Sequence, residues 1–227
     1  MRLSIIIPVL NEAGIIVPAL QALAPLRARG HEVIVVDGGS SDATPGLARD
    51  LADRVLAAPR GRALQMNAGA ALARGDVLLF LHADTLLPPE ADAAMREGLE
   101  RSGRLWGRFD ARIDGREPLL ALVAFMMNLR SRATGIATGD QAIFVRREAF
   151  CRAGGFPELP LMEDIALCRR LKPLSRPLCL AAVAVTSGRR WREHGIVRTI
   201  ALMGWLRLRF FFGAEPERLA RAYYGRR

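Results

Sequence analysis

The sequence predicts an α/β protein with a mixed, mostly parallel central sheet, helices on both faces and a helical C-terminal tail. Two observations carry this prediction. Apolar runs of strand length alternate with segments of helical periodicity, at the spacing of βαβ units. The chain of 227 residues is 51% hydrophobic, which is sufficient for one sizeable core. We therefore expect one domain, with ligands bound beyond the carboxyl ends of its parallel strands.

Each element follows from a local signal. The apolar run 4–9 is a buried strand, and the polar segment 11–13 opens a helix to about residue 29. The run 32–36 is a second strand, and the segment 37–42, DGGSSD, combines a flexible turn with a helix cap. Further strands are predicted at 54–57, 77–81, 106–113 and 142–145, and further helices at 47–53, 63–73, 90–102, 119–132, 147–153 and 163–171.

Net charge, cysteine spacing and the length of the apolar stretches indicate which partners and which cellular compartment to expect. The formal charge of +10, from 33 Lys and Arg against 23 Asp and Glu, favours polyanionic partners of any kind. The three cysteines have no C-x-x-C spacing, so we expect buried free thiols in a reducing compartment. There is no secretory cleavage site, and the longest apolar stretch, 119–127, is shorter than the roughly 20 residues of a membrane span. We expect a cytoplasmic protein, either free or at the inner face of the membrane.

Polar residues at the ends of the first two strands are expected to meet. Pro8, Asn11 and Glu12 follow the first strand, and Asp37 follows the second. A carboxylate beside a glycine turn accepts hydrogen bonds from a base edge or a ribose hydroxyl, and the glycines let the ligand approach the backbone. The alternative is structural, with Asp37 and Asp42 capping the turn and the following helix.

A second candidate site lies where the helix 63–73 begins. Arg60, Gly61 and Arg62 stand at its N-terminus, and Asn67 lies about one turn further in. Helix N-termini and arginines both attract anions, so a phosphate or a ribose of a nucleotide fits there. A solvated basic helix start explains the same residues equally well.

The strand 77–81 leads into His82-Ala83-Asp84. Because alternate residues share one face of a strand, His82 and Asp84 are expected to point the same way. A carboxylate here can hold Mg²⁺ or Mn²⁺ against a diphosphate and neutralise its charge as the sugar bond breaks. The alternative is a polar strand end capped by Asp84 and Thr85.

Two acidic residues, Glu163 and Asp164, open the helix 163–171. Carboxylates in a first turn are ordinarily partners of the helix dipole. Here the segment Gly139-Asp140-Gln141 and the glycines at 154–155 precede them and suggest parts of an acceptor pocket. A carboxylate beside such a pocket can take a proton from an incoming hydroxyl.

In this order and at about this spacing, the four motifs resemble those of family 2 glycosyltransferases, which have the Rossmann-like GT-A fold. The resemblance covers residues 4–195 and rests on SIIIPVLNEA, VDGGSSD, GRALQMNAGA, FLHADT and GGFPELPLMEDIALCRRL. It implies that residues 1–115 bind the nucleotide, residues 116–195 form the acceptor and catalytic half, and residues 196–227 form an amphipathic tail. The implied donor is a nucleotide-diphosphate sugar, with UDP-sugars favoured.

The resemblance also implies individual roles. Nucleotide contacts fall on Pro8, Asn11, Glu12, Asp37, Arg62, Asn67, His82 and Ala83. Acceptor contacts fall on Gly139, Asp140, Gln141 and Trp191, beside the catalytic group of Glu163, Asp164 and Arg190. Asp164 is the general base of a direct displacement with inversion. The family's first metal-motif aspartate is His82 here, so Asp84 carries Mn²⁺ or Mg²⁺ alone, with His82 as an added ligand or as pocket wall.

The segment TSGRRWREHG resembles the tail of a smaller subgroup of short bacterial transferases associated with selenium-linked or arsenosugar gene clusters. In related transferases such a motif closes over the substrates, so Arg190 or Arg189 would stabilise the leaving diphosphate and Trp191 would stack on a sugar. A basic loop anchored by a buried Trp is the alternative. Aromatic and basic residues alternate over 196–213, which suits an anionic membrane surface, a homodimer face or a core helix.

Two other functions stay open at this point. A nucleotidyltransferase also uses a strand-end aspartate and a metal, but it would carry a glycine-and-arginine phosphate loop where this chain has PVLNE at 8–12. A non-enzymatic basic protein would bind membrane or nucleic acid. Nucleic acid is disfavoured, because interleaved aromatic and basic residues are missing from the N-terminal two-thirds of the sequence. The sequence leaves the acceptor and the oligomeric state open.

Overall fold

An eight-stranded sheet organises the computed structural model, which describes residues 1–225. The strands are β1 (Leu3–Val9), β2 (Glu32–Asp37), β3 (Arg54–Ala57), β4 (Val77–Phe80), β5 (Thr85–Leu86), β6 (Trp106–Ile113), β7 (Phe144–Arg146) and β8 (Leu178–Thr186). Their order across the sheet is β3-β2-β1-β4-β7-β6-β8-β5. The pairs β1–β2, β1–β4, β2–β3 and β6–β8 are parallel, whereas β7 is antiparallel to both neighbours and β5 to β8. The predicted mixed, mostly parallel sheet is confirmed.

Helices cover both faces of this sheet. They are α1 (Ile16–Gln21), α2 (Ala24–Ala28), α3 (Thr44–Ala48), α4 (Arg62–Leu72), α5 (Ala91–Ser102), α6 (Pro118–Thr134), α7 (Arg147–Arg152), α8 (Glu163–Leu171), α9 (Arg189–His194), α10 (Ile196–Phe211) and α11 (Pro216–Tyr224). A 3-10 turn, Gly139–Gln141, precedes β7. Within residues 1–225 no helix has the length and apolar character to cross a membrane.

The core lies on both sides of the sheet because side chains alternate along each strand. Ile5 and Val35 belong to the cluster on one face, and their neighbours Ile6 and Val36 to the cluster on the other. Helix α4 lies especially close to the second face. A Cβ added at Gly69 would stand 2.5 Å from Ile6 Cγ2, so only glycine permits this approach.

One edge of the sheet collects the loops that carry the predicted motifs. β1, β2 and β4 end there in register, with Val9 opposite Asp37. β7 runs antiparallel to β4, so the 3-10 turn before β7 arrives at the same edge. β6 is antiparallel to β7 and parallel to β8, so the end of β8 at Thr186 returns there as well. The strand directions thus bring five separated segments together.

Several predicted boundaries are wrong. The helix 11–29 is two short helices, because Pro25 has no N–H to donate to the Gln21 carbonyl. The helix 47–53 begins instead at Thr44, whose N–H is capped by Asp42 at 3.0 Å, and it ends at Ala48 before the chain enters β3. The strand 142–145 begins only at Phe144, since Ala142 is left-handed with φ of 46°.

Two further findings differ from expectation. The strand β8 was not predicted, because its alanine-rich sequence LCLAAVAVT has weak intrinsic strand preference and forms a strand only between β6 and β5. The three cysteines are free as expected, but they are not all buried: Cys168 is buried, Cys179 is half-buried and Cys151 is exposed.

Candidate active site

A cleft of about 640 Å³ opens at this edge of the sheet, which is the size of a small-molecule site. Its walls come from the end of β1, the start of α4, the loop 158–160 and α11. The lining includes Pro8, Val9, Leu10, Glu12, Arg60, Gly61, Arg62, Gln65, Glu158, Leu159, Pro160, Glu217 and Tyr224. Three predicted nucleotide contacts, Pro8, Glu12 and Arg62, are therefore brought together. The contributions of the loop 158–160 and of α11 were not predicted.

The turns after β1 and β2 are joined by side-chain hydrogen bonds. Asp37 is buried and accepts bonds from the N–H groups of Gly39 and Ser40, both at 3.0 Å. Asn11 accepts a bond from the Ser41 N–H at 2.8 Å and has φ of 55°. Asp37 thus shapes the glycine turn, as the structural alternative requires, and it does so at the predicted place.

Gln65 is a site residue that sequence reasoning missed. Its buried amide donates to the carbonyls of Val9 at 2.8 Å and Val36 at 2.7 Å. These two bonds fix the separation of the β1 and β2 ends at the base of the cleft. The available signal was a polar amide on the buried face of α4, where an apolar residue is the rule.

Three charged residues, Arg189, Asp84 and Arg62, act on Glu12 in the wall of the cleft. Glu12 Oε2 lies 3.5 Å from Arg189 Nη2, so the segment after β8 reaches the first motif. Burial raises the pKa of Glu12, the attraction of Arg189 opposes this, and the negative charge of Asp84 adds to the rise. Arg62 also lowers the pKa of Glu12, so Arg189, Asp84 and Arg62 all lie within electrostatic reach of Glu12.

His82 and Asp84 lie in a turn rather than on a strand, which corrects the expectation that they share a strand face. β4 ends at Phe80, and the Thr85 N–H closes the turn on the His82 carbonyl at 3.1 Å. His82 Nδ1 lies 3.6 Å from Asp140 Oδ1, and Thr186 Oγ1 donates to the same oxygen at 3.4 Å. Burial raises the pKa of Asp140, but His82 and Arg62 outweigh it and the net pKa is lowered. Ala83 is buried beneath this turn.

The two acidic residues that open α8 differ in environment. Asp164 is half-buried and accepts the N–H of Gly139 at 3.0 Å and of Ile165 at 2.7 Å. Glu163 is buried, and burial together with the charge of Asp164 raises its pKa. The structure therefore joins Asp164 to the 3-10 turn as predicted, with Gly139 as the contact.

Other predicted contacts use their polar groups within the protein. Asn67 donates to the Phe156 carbonyl and accepts the Phe156 N–H, both at 2.9 Å, and so holds the loop 155–160 against α4. Gln141 is fully buried and donates to Ser131 at 3.0 Å and Asn128 at 3.2 Å. The structure does not bring the Gln141 side chain to the cleft, because its amide donates to α6 and its Oε1 accepts the Thr138 N–H at 3.3 Å.

Neighbouring arginines of the segment after β8 contact two different parts of the protein. Arg189 reaches Glu12, whereas the Arg190 guanidinium lies 3.8 Å from the ring centre of Tyr223 in α11. Arg190 also lines a small cavity of about 90 Å³ with residues of α10. Trp191 is half-buried against the apolar cluster of β6 and α6, as the anchoring alternative predicts.

Residues with an unusual backbone conformation lie beside the predicted motifs. Within residues 1–225 three non-glycine residues have positive φ: Asn11, Ala142 and Met162. Each one adjoins a predicted motif, namely the first strand end, the 3-10 turn and Glu163. Such conformations cost about 1–3 kcal/mol each and concentrate at functional sites.

A divalent cation shared with a diphosphate needs one or two carboxylates from the protein. The chain offers Asp84, with Glu12 nearby, and both supply the oxygen donors that Mg²⁺ and Mn²⁺ prefer. Among the described residues no group of three or more His, Cys, Asp or Glu could hold a metal ion. The donor set thus fits an ion held jointly with a substrate.

Known proteins resemble this chain in sequence and in fold. Over 100 residues it is 39% identical to the PGL/p-HBAD biosynthesis glycosyltransferase of Mycobacterium tuberculosis, with 41% of this chain and 39% of that protein covered. The aligned part therefore spans well under half the length of this relative. Among solved structures, S. aureus TarS 1–349 in complex with UDP has a TM-score of 0.67 at 21% identity, covering 82% of this chain and 60% of that one. Mannosyltransferase PcManGT from Pyrobaculum calidifontis, in complex with GDP-Man and Mn²⁺, has a TM-score of 0.61 at 24% identity, covering 81% and 56%.

The sheet order and the likeness to these solved structures define an α/β protein with the GT-A fold. The model of glycosyl transferase family 2 matches residues 4–150, so the chain belongs to that family. Membership of this family counts against the nucleotidyltransferase and the non-enzymatic basic protein.

Proposed function

We propose that the chain transfers a sugar from a nucleotide-diphosphate sugar to an acceptor hydroxyl or phosphate, with inversion at the anomeric carbon. The observation that carries this proposal is the cleft, whose walls combine the arginines at the start of α4 with Glu12, and the charge of Asp84 acts on that Glu12. Arginines suit the diphosphate, and the glycine turn after β2 lets a nucleoside approach. TarS is solved with UDP and PcManGT with GDP-Man, which supports a nucleotide sugar as donor. We favour a UDP-sugar, with GDP-sugars as the alternative.

In this proposal residues 1–115 bind the donor and residues 116–195 hold the acceptor. Pro8, Glu12 and Arg62 contact the nucleotide directly from the cleft wall. Asp37, Asn11 and Asn67 shape the turns and the loop around it. Ala83 and His82 place the turn that presents Asp84.

Asp84 is the proposed ligand for Mn²⁺ or Mg²⁺. A divalent cation bound there would offset the charge of the leaving diphosphate. PcManGT is solved with Mn²⁺, which supports this assignment. Arg189 is the nearer candidate to stabilise the diphosphate from the protein side, since it pairs with Glu12, and Arg190 holds α11 in place.

Asp164 is the proposed general base. Its carboxylate is oriented by the N–H groups of Gly139 and Ile165, and Glu163 beside it is buried. Asp164 would take the proton of the acceptor hydroxyl while that oxygen attacks the face opposite the diphosphate. Gly139, Asp140 and Trp191 border the acceptor, and Gln141 supports the turn from below.

We also propose peripheral contact with an anionic membrane at its inner face through residues 196–213. Helix α10 exposes Val197, Ile200, Trp205, Leu208 and Phe211, and Phe212 follows it. Exposed arginines at 198 and 209 flank this apolar face, which suits anionic lipid. A homodimer through the same face is the alternative. The selenium-linked or arsenosugar subgroup, suggested by residues 186–195, also stays a proposal.

A nucleotide titration tests the donor site. We expect one of UDP, GDP, CDP and ADP to raise the melting temperature, by about 2.7 kcal/mol of stability at 100 times its dissociation constant. Mn²⁺ should increase the effect in the wild type and not in Asp84→Asn. Asp164→Asn should bind the same nucleotide normally while lowering kcat by about 100-fold or more. No shift with any nucleotide would contradict the proposed function.

A further inference from the structure

Helices α6 and α10 each bury an arginine beside the proposed catalytic base. Arg130 lies near the end of α6, and Arg207 lies in α10, which packs beside α6. Within residues 1–225, Arg130 Nε, Arg130 Nη2 and Arg207 Nε are buried and have no hydrogen-bond partner. We call these two residues the arginine pair. Unpartnered buried guanidinium nitrogens are costly, so the pair calls for an anion that the protein does not supply.

The two guanidinium groups also repel one another. Burial lowers the pKa of Arg130 to about 10, and repulsion by Arg207 contributes to the lowering. Burial likewise lowers the pKa of Arg207. The ion pairs among the described residues include neither arginine. Two like charges that are buried close together, with no ion pair to a carboxylate among residues 1–225, are unfavourable for stability alone, which points to a ligand.

The position of the pair connects it to the acceptor side of the site. Asp164 and Asp140 both attract Arg130 and Arg207. Asp164, however, is engaged by the N–H groups of Gly139 and Ile165. Neither arginine lines the donor cleft. Both side chains are half-buried overall, so a ligand can approach them from the surface.

We propose that the arginine pair binds a phosphate group carried by the acceptor. This inference rests on the proposed function, because it names the chemical class of the molecule that Asp164 activates. Two guanidinium forks match the several acceptor oxygens of a phosphate monoester, and their combined charge balances its dianion. The pair acts by positioning the acceptor and takes no part in bond breaking.

Two sources supply this chemistry, a soluble phosphate ester and a lipid phosphate. The exposed apolar residues of α6 and α10, among them Phe125 and Leu208, lie on the same two helices as the pair. A lipid phosphate would place its chain on that surface, whereas a soluble ester would leave it uncovered. The probes below separate the two sources.

The test is a set of binding titrations with the donor cleft filled by the nucleoside diphosphate that binds tightest. The probes are glycerol 3-phosphate, glycerol, and phosphatidylcholine vesicles with and without phosphatidic acid. The variants are Arg130→Gln and Arg207→Gln, with Arg130→Lys as a variant that keeps the charge. Arg101→Gln is the matched control, since the Arg101 side chain is 80% exposed on α5, outside both the arginine pair and the proposed membrane face.

We expect at least one phosphate probe to bind the wild type and its affinity to fall about tenfold or more in each Gln variant, with Arg101→Gln unchanged. Binding of glycerol 3-phosphate would assign a soluble acceptor, and binding of the phosphatidic acid vesicles alone a lipid acceptor. Equal binding of phosphate and neutral probes, or Gln variants that bind like the control, would overturn the proposal.

Two readouts keep the conclusions separate. Nucleotide binding, measured on the same samples, reports whether each variant is folded and whether the donor site exists. If the wild type binds no nucleotide, that result counts against the proposed function and not against the arginine pair. The phosphate probes are then titrated without nucleotide. If the Gln variants do not fold, the wild-type preference for phosphate over glycerol and the weaker binding of Arg130→Lys decide the matter.

Discussion

Gly139 packs so closely on His82 that the turn before β7 and the turn after β4 act as one unit. A Cβ added at Gly139 would stand 2.3 Å from His82 Nε2. The Gly139 N–H also orients Asp164, and the neighbouring Asp140 faces His82. At the scale of single residues, the site therefore depends on the absence of a side chain as much as on its charged groups.

Gly139→Ala should displace the imidazole and the general base together. We expect a loss of about 1–3 kcal/mol in unfolding free energy and a larger relative loss of transferase activity. Urea unfolding and a turnover assay measure the two effects. Gly204→Ala in α10 is the control, because its Cβ would meet nothing within 4 Å, and it should stabilise by roughly 0.5–1 kcal/mol. A fully active Gly139→Ala would show that His82 tolerates displacement.

The raised pKa of Glu163 predicts how protein stability changes with pH. Its pKa in the folded protein is raised above 4.5 by burial and by Asp164, so the folded state favours the protonated form. Below pH 4.5 the carboxyl is protonated in the folded and the unfolded state alike, so it does not lower the unfolding free energy. As the pH rises from 4.5 through the folded-state pKa, the unfolded state ionises first and the unfolding free energy falls. Glu163→Gln should therefore be more stable than the wild type at neutral pH, with the difference vanishing near pH 4.5. A melting-temperature difference that does not change with pH would contradict this.

At the scale of elements, α11 has a role that its sequence does not reveal. It contributes Glu217 and Tyr224 to the donor cleft, and its Tyr223 ring contacts Arg190. Leu219 and Ala220 are buried against Leu161, close to the start of α8. The helix thus covers the cleft and supports the loop that leads into Glu163.

Leu219→Ala should loosen α11 without unfolding the sheet. The lost packing is worth about 2–5 kcal/mol, which is enough to undock a short terminal helix. Hydrogen exchange should become faster over 216–224 and stay unchanged in β1 and β2. Nucleotide affinity should change in the same variant, because α11 lines the cleft. Arg221→Gly, at an exposed position of α11, is a control for helix propensity alone, at roughly 1 kcal/mol. Unchanged exchange in α11 after Leu219→Ala would show that other contacts hold it.

At the scale of the whole molecule, charge and exposed apolar area act together. The chain carries a formal charge of +10, and Phe211 and Phe212 are 70% and 76% exposed. Attraction to anionic lipid would bring the protein to a membrane, and burial of the two rings would retain it there.

The double variant Phe211→Ser, Phe212→Ser should bind anionic vesicles more weakly than the wild type, by about 100-fold or more, because ring burial contributes about 1.5–3 kcal/mol per side chain and two rings are lost. Wild-type binding should also weaken as salt is added. Co-sedimentation with vesicles measures both effects, and Leu47→Ser, on an exposed leucine of α3, is the control. If vesicles are not bound and the double variant instead abolishes a dimer in analytical ultracentrifugation, the face is a homodimer interface.

The sequence by itself determined the alternating strands and helices, the sheet class and the placing of Asp37, Asp84 and Asp164 at or just past the ends of strands and helices. These features are local, since periodicity and turn residues depend on neighbours in the chain. Only the tertiary structure decided which side chains meet: Gln65 bridging two strand ends, Gln141 facing α6 and Arg189 reaching Glu12. It also decided that the alanine-rich β8 is a strand and that Arg130 and Arg207 are buried together. Such contacts join residues far apart in the chain, and local patterns carry no information about which distant partner each group finds.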